Sequence, residues 1–185
     1  IAKEDRTLIL ALFLGTIPAV CIGFLAQDAI EGVFRSPELV AYALLVGSAL
    51  FFVAERVAKK TAPLTVTRGV VIGFFQALAL IPGMSRSGST ISGGLLLGLT
   101  REASARFAFL LSFPVILGAG TLKLFELESA GVVASAGPLI SLAAFTAFVS
   151  GISAIHFLMR YLKNNSLDIF IIYRVALAVV ILILL

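Results

Sequence analysis

Apolar runs as long as a bilayer is thick recur along this chain and restrict what it can fold into. Residues 7–26 are uncharged, and a helix of about 20 apolar residues crosses the hydrocarbon layer. Similar runs cover residues 38–57, 101–125, 138–159 and 169–185. Only 13% of the residues are charged and 60% are hydrophobic, whereas soluble domains are about a quarter charged. The sequence therefore predicts an all-α integral membrane protein with about five transmembrane helices.

The central stretch, residues 67–100, does not fit one helix. It is far too long for a single crossing, and Pro82-Gly83 interrupts it, because proline breaks the helical hydrogen-bond ladder. Each half is too short to cross comfortably by itself. We therefore predict a re-entrant helix-loop-helix hairpin over residues 67–100, inside one membrane domain that covers residues 1–185.

The distribution of basic residues tests this threading. With a hairpin, ten Lys and Arg side chains fall on one side of the membrane and two on the other; with a single crossing, the division is seven against five. Cytoplasmic loops carry an excess of basic residues, which favours the hairpin, with both of its ends at the basic, cytoplasmic side. Two full crossings give the same ten against two, so only segment length argues against them. The basic residues are scattered between apolar runs, which argues against nucleic acid as a partner.

The hairpin tip concentrates polar groups in apolar surroundings. A second helix that starts near Ser87 would point free N–H groups and the positive end of its dipole at one place, which favours an anion. Arginine offers a planar fork that suits phosphate. The tip therefore predicts a phosphate pocket formed by one arginine, four hydroxyls and two glycines: Arg86, Ser85, Ser87, Ser89, Thr90, Gly83 and Gly88. The alternative is a solvated Pro-Gly turn followed by a Ser-capped helix.

Other polar residues receive simpler interpretations. Gln76 either lines the pocket or makes a packing hydrogen bond, and a structural role is favoured for His156. Arg174, near the start of the last helix, is expected to snorkel to the cytoplasmic interface, with pairing inside the bundle as the second choice. The pattern Gly69-x-x-x-Gly73 predicts close helix contact. All ten acidic residues flank the apolar runs, so the sequence offers no carboxylate or other metal ligand at the tip.

Residues 75–94, FQALALIPGMSRSGSTISGG, closely resemble the second signature of the bacterial undecaprenyl-diphosphatase (bacitracin-resistance) family. The resemblance extends over essentially all of the chain, to Ile172-Tyr173-Arg174. It implies an inverted-repeat fold in the bacterial inner membrane, with an active site that opens to the outer face. The implied reaction converts undecaprenyl diphosphate into undecaprenyl phosphate and phosphate, with Arg86, Ser85 and Ser87 catalytic. Gly83, Gly88, Ser89, Thr90 and Gln76 are expected to bind this polyprenyl diphosphate.

The chain departs from the family pattern in one respect. The other signature, a Glu-rich segment followed by Ser-Ser-x-Gly-His, is absent. The resemblance implies that this signature supplies the base and the ligands of a divalent cation, Mg or Ca, so these ligands are not expected in this chain. We therefore expect a fragment of a larger membrane domain that is inactive in isolation. A transporter or flippase for an anionic lipid or small anion is the alternative function, and a homodimer is left open.

Overall fold

The computed structural model describes residues 3–26, 36–58 and 61–185, and every regular element in these ranges is helical. The predicted all-α class is confirmed. Residues 27–35, between the first two apolar runs, lie outside the described residues, as do Lys59 and Lys60. The helices in the described ranges are α1 Lys3–Leu25, α2 Pro37–Val57, α3 Val66–Ala77, α4 Arg86–Leu96, α5 Arg101–Ser129, α6 Val132–Asn164 and α7 Asp168–Leu184. A short 3₁₀ turn, Leu78–Leu80, follows α3.

Four helices in the described ranges, α1, α2, α5 and α6, are long and apolar enough to cross a membrane. Helix α7 has 17 residues and reaches about 25 Å at 1.5 Å per residue. Helix α2 is capped at its start: Ser36 Oγ accepts a hydrogen bond from the Leu39 N–H at 3.2 Å, and Pro37 occupies the first helical position, where its missing N–H is harmless. These helices confirm a membrane-embedded protein.

Helices α5 and α6 are longer than predicted. The apolar runs at residues 101–125 and 138–159 imply a connection between them, and this prediction is wrong, because α5 continues to Ser129 and α6 starts at Val132. The turn needs only Ala130 and Gly131, which has a φ of +71°, a conformation that glycine adopts without steric cost. Pro138 lies inside α6, as prolines do in membrane helices whose neighbours or side chains satisfy the freed backbone groups.

The central stretch is a helix-loop-helix hairpin, formed by α3, the 3₁₀ turn, the tip and α4. Its two ends meet, because the Ala62 N–H donates to the Gly98 carbonyl at 2.8 Å. The chain therefore enters and leaves the hairpin at the same side, as the charge distribution predicts. The 12 residues of α3 and the 11 of α4 span only about 17 Å each, which is too short for a full crossing.

The ends of four helices are joined by ion pairs between side chains. These pairs connect α2 with α5, α5 with α6, and α2 with α7: Glu55 with Arg101, Glu102 with Lys163 at 3.8 Å, and Arg56 with Asp168 at 3.9 Å. The start of α1 borders the same region, because Glu4 and Asp5 share a cavity with Thr65 and Arg106. We refer to this side of the bundle as the basic end.

Helix α4 is the centre of the bundle and packs against α2, α3 and α5. Its residues 88–95 are all buried. Helix α3 packs tightly on α1: a Cβ at Gly69 would lie 2.6 Å from Ala11 Cβ, and a Cβ at Gly73 would overlap the Gly15 carbonyl. The predicted small-residue contact is therefore confirmed.

Candidate functional site

The hairpin tip is a turn that reaches well away from the basic end. Gly83 has a φ of +99°, and a Cβ there would lie 2.6 Å from the Val40 carbonyl oxygen. Only glycine satisfies both the backbone conformation and this close approach. Val40 precedes the end of α2 at Val57 by about 25 Å of helix, so Gly83 lies far from the basic end.

Ser85 combines backbone strain with a capping role. Its φ of 69° is the only positive value at a non-glycine residue in the described ranges, and such conformations cost about 1–3 kcal/mol. The strain is partly offset because Ser85 Oγ accepts a hydrogen bond from the Gly88 N–H at 3.3 Å and caps α4. Strain of this kind concentrates at functional sites, which draws attention to the start of α4.

Arg174 of α7 holds the backbone of the tip in place. Its side chain is buried. Nη2 donates to the Gly83 carbonyl at 2.8 Å and to the Met84 carbonyl at 3.4 Å, and also to the Leu44 carbonyl at 3.2 Å. Nε donates to Ser48 Oγ at 3.3 Å. One guanidinium therefore joins α7, α2 and the tip.

The expectation that Arg174 snorkels to the cytoplasmic interface is wrong; it pairs inside the bundle. An uncompensated cation at this depth would be costly, but three carbonyls and one hydroxyl accept its protons, and the Phe51 ring lies 4.8 Å below the guanidinium. The missing side chain of Gly47 provides the space, because a Cβ there would overlap Nη2. The sequence indicates the inward position of Arg174 only through Gly47-Ser48 within an apolar span, with Phe51 one turn later.

A cavity of about 210 Å³ lies beside this anchor. Two of the tip hydroxyls, Ser85 and Ser87, line it together with Arg174, whereas most of its remaining wall is apolar: Phe51, Gly88, Ile91, Leu158, Leu167, Phe170 and Tyr173. It is smaller than the pockets of about 300–1,000 Å³ that hold drug-sized ligands. The serine and arginine side chains among its lining residues carry donors of the kind that bind an anionic group.

Comparison with known proteins identifies the family of the chain. Residues 1–180 match the family described as bacitracin resistance protein BacA. The chain belongs to the BacA family. The resemblance predicted from residues 75–94 is thereby confirmed.

Relatives in this family carry the name undecaprenyl-diphosphatase. The chain is similar to the undecaprenyl-diphosphatase of Elusimicrobium minutum, with 44% identity over 97% of this chain and 69% of the relative. The protein of that name from Renibacterium salmoninarum is 43% identical over 92% of this chain and 63% of its own length. Undecaprenyl-diphosphatase 2 of Frankia casuarinae is 42% identical over 90% and 62%. The chain thus spans roughly two thirds of the length of these BacA relatives.

The structure brings some of the predicted site residues together and separates others. Ser85, Ser87 and Gly88 line the cavity. Arg86 opens α4 with an exposed side chain and does not line it. Its role as a phosphate clamp stays a prediction that requires a substrate beside the exposed surface of the tip.

Ser89, Thr90 and Gln76 are buried and do not line the cavity. The hydroxyls of Ser89 and Thr90 donate to carbonyls of their own segment, Met84 at 3.3 Å and Arg86 at 2.7 Å. The side-chain amide of Gln76 has no hydrogen-bond partner in the part of the chain that the structure describes. Contact of these three residues with a substrate stays a prediction.

The described residues do not fit a divalent cation. No three side chains of His, Cys, Asp or Glu come together in the ranges 3–26, 36–58 and 61–185. The buried carboxylate of Glu55 lies at the basic end, paired with Arg101. The described residues of this BacA chain therefore supply no ligand set for a metal ion.

Proposed function

We propose that the complete protein is a membrane phosphatase that hydrolyses undecaprenyl diphosphate to undecaprenyl phosphate and phosphate. The observation that carries this proposal is the convergence of Ser85, Ser87 and Arg174 on one cavity at the start of a buried helix, in a chain whose relatives are named undecaprenyl-diphosphatases. These names do not favour the transporter alternative.

The terminal phosphate of the substrate would lie at the start of α4. The Ser85 and Ser87 hydroxyls would donate to its oxygens, and the N-terminal end of the α4 dipole would favour its negative charge. Arg174 Nη1, which has no protein partner in the described ranges, would add a charge-assisted hydrogen bond. Arg86 would approach the same oxygens from the exposed side of the tip.

These donors suit the transfer of a phosphoryl group. Water adds to the terminal phosphorus, the bond from that phosphorus to the bridging oxygen breaks, and the lipid monophosphate leaves. Preorganised donors stabilise the charge on the phosphoryl oxygens as this happens. Neither a carboxylate nor a histidine lines the cavity among the described residues, so we place the proton-accepting group elsewhere in the complete protein. A divalent cation, Mg²⁺ or Ca²⁺, remains proposed only as a group held by other residues.

The proposal includes an orientation in the bacterial inner membrane. An excess of basic residues marks the cytoplasmic side, so the basic end would face the cytoplasm and the tip would lie in the outer half of the membrane. Leu158, Leu167 and Phe170 line the cavity and lie within two turns of the ends of α6 and α7 at the basic end. A charged head group avoids such an apolar wall, and it would therefore enter from the outer face.

Phosphate release from undecaprenyl diphosphate by the complete protein tests the proposal. We expect Arg86→Ala, Ser85→Ala and Ser87→Ala each to lower kcat, by about 10²–10³-fold for a donor aimed at transition-state charge. Arg86→Lys should also lose most activity, because a point charge does not replace the planar fork.

Ser92→Ala is the matched control. It removes a hydroxyl from the same helix, and this hydroxyl is buried and has no partner in the described part of the chain. Its kcat should stay within about twofold of the parent, because removing an unsatisfied buried group is nearly neutral. The proposal fails if the complete protein releases no phosphate, or if Arg86→Ala is as active as Ser92→Ala.

A further inference from the structure

One face of α6 changes from apolar to cationic as the helix approaches the basic end. The apolar part is strongly exposed, with Phe145 and Phe148 each at 66% and Ile152 at 53%. The same face continues at helical spacing through His156, Arg160 and Lys163, all exposed, because residues three and four apart lie above one another. An apolar ridge therefore leads directly to a group of nitrogen-bearing side chains.

A polar cavity lies at the cationic part of this face. It has a volume of about 480 Å³ and lies between α5 and α6, lined by Glu102, His156, Met159, Arg160, Lys163 and Asn164. Lys163 Nζ is 3.8 Å from Glu102 Oε1, whereas Arg160 makes no ion pair within the described ranges. Two cations thus face one carboxylate, and an excess of positive charge remains at the cavity.

The cavity lies along the last turns of α6, residues 156–164, where a membrane helix would reach the head groups. His156 precedes the last residue of α6, Asn164, by about 12 Å of helix. Head-group layers extend about 5–7 Å beyond each side of the hydrocarbon core. With Asn164 at the head-group level, the cavity would extend into the first part of the acyl region, and Phe148 and Ile152 would lie deeper along the same face.

We propose that this cavity binds the phosphate of an anionic phospholipid from the cytoplasmic leaflet. Arg160 and Lys163 hold the phosphate, His156 donates to the glycerol ester region, and the acyl chains lie along Phe145, Phe148 and Ile152. The charge complementarity and the apolar continuation together select a lipid, because basic pockets between membrane helices on the cytoplasmic side suit anionic head groups, whereas a soluble anion gains nothing from the apolar ridge.

This lipid site is separate from the cavity at the hairpin tip. Leu158, which lines the tip cavity, follows His156 by two residues and so lies on the opposite side of α6. The inference therefore does not depend on the proposed phosphatase activity, and either can fail without the other.

Native mass spectrometry of the complete protein in detergent, titrated with phosphatidylglycerol or phosphatidylcholine, tests the site. We expect the parent protein to retain phosphatidylglycerol preferentially. The double variant R160Q/K163Q should bind phosphatidylglycerol roughly 30-fold more weakly, given the contribution of each basic side chain near anionic lipid, with its affinity for phosphatidylcholine unchanged. The variant F148A/I152A should lose affinity for both lipids, because it shortens the apolar ridge.

The matched control is R6Q/R56Q, which removes two exposed basic side chains from the same end of the bundle but from α1 and α2. Its affinity for phosphatidylglycerol should stay within about threefold of the parent. The site would be overturned if R160Q/K163Q bound phosphatidylglycerol like the parent, which is expected if protein covers this face. Equal losses of affinity in R160Q/K163Q and R6Q/R56Q would also overturn it. Displacement of the lipid by millimolar glycerol 1-phosphate would assign the cavity to a soluble anion instead.

Discussion

The hairpin tip and the exposed face of α6 have opposite amino-acid compositions. At the tip, glycines, hydroxyls and a buried arginine are enclosed by α2, α4 and α7. On α6, large apolar side chains such as Phe145, Phe148 and Ile152 are exposed, and none of its apolar window is buried within the described structure. In a bilayer, burying apolar surface between helices gains little, because lipid is equally apolar. Polar and small residues therefore mark the protein interior here, and large apolar residues mark the exposed faces.

The largest effect is expected at Arg174, on which the polar region depends. Arg174→Gln removes the cation that binds two carbonyls of the tip and the Leu44 carbonyl, and each buried acceptor left without a partner costs about 1–3 kcal/mol. We expect phosphate release by the complete protein to fall by at least about 100-fold. Arg174→Lys should not restore it, because an ammonium cannot reproduce the fork.

Limited proteolysis of the same variants separates loss of the tip from loss of the fold. Cleavage near residues 81–85 should appear in Arg174→Gln while the rest of the protein stays resistant. Wild-type activity in either Arg174 variant would show that the tip does not need this anchor.

The second effect compares a buried glycine with one at the lipid boundary. In Gly73→Ala the new methyl group would overlap the backbone of Gly15, which cannot move aside as a side chain can. We expect a loss of about 1–3 kcal/mol, or more if α1 separates from α3. Gly118→Ala on α5 has nothing within 4 Å of its Cβ and should gain about 0.5–1 kcal/mol of helix stability. Denaturation in mixed micelles of detergent and SDS measures both changes, and equal effects would contradict the comparison.

A pair of compensating substitutions tests how closely Gly88 and Phe51 pack in the cavity wall. In Gly88→Ala the methyl group would overlap the Phe51 ring, which lies against Arg174, and overpacking of this kind costs about 1–3 kcal/mol. Phe51→Leu should relieve the overlap, so the double variant G88A/F51L should be more stable than G88A by at least about 1 kcal/mol. If the two changes are simply additive in the same unfolding assay, Gly88 and Phe51 do not share the space as described.

The smallest effect is expected on the exposed face of α6. Phe145→Leu replaces one apolar side chain by another where lipid is the neighbour, so the free energy of unfolding should change by less than about 0.5 kcal/mol. The same replacement at the buried Phe107 of α5, which is 2% exposed, should cost about 1–2 kcal/mol. Similar losses at both positions would show that protein covers this face of α6.

Much of the fold could be predicted because the features that indicate a membrane helix lie within a short stretch of sequence. Apolar length determines a crossing, and Ser36-Pro37 determines where α2 starts. The hairpin followed from the short halves around Pro82-Gly83 and from the basic residues. The connection before Pro138 could not be placed correctly, because glycine and alanine are compatible with both turn and helix, and only Gly131 adopts the positive φ of the turn.

The candidate site was only partly predictable for a different reason. Ser85, Ser87 and Gly88 are neighbours in the chain, so their motif could be identified directly. Arg174 is 91 residues from Gly83, and an arginine near a helix end has the same local pattern whether it points to the interface or into the bundle. The burial of the Ser89 and Thr90 hydroxyls against their own helix was likewise invisible in a run of similar hydroxyls.

The sequence alone determined the membrane class, the hairpin, the basic end and the family, because apolar length, charge and a contiguous motif are local properties. Tertiary structure decided which donors share a cavity. It also decided that Arg174 turns inward, since the three carbonyls and the aromatic ring that compensate its charge come from α2 and the tip. A buried charge is stable only where such partners converge, and that convergence depends on how distant helices pack.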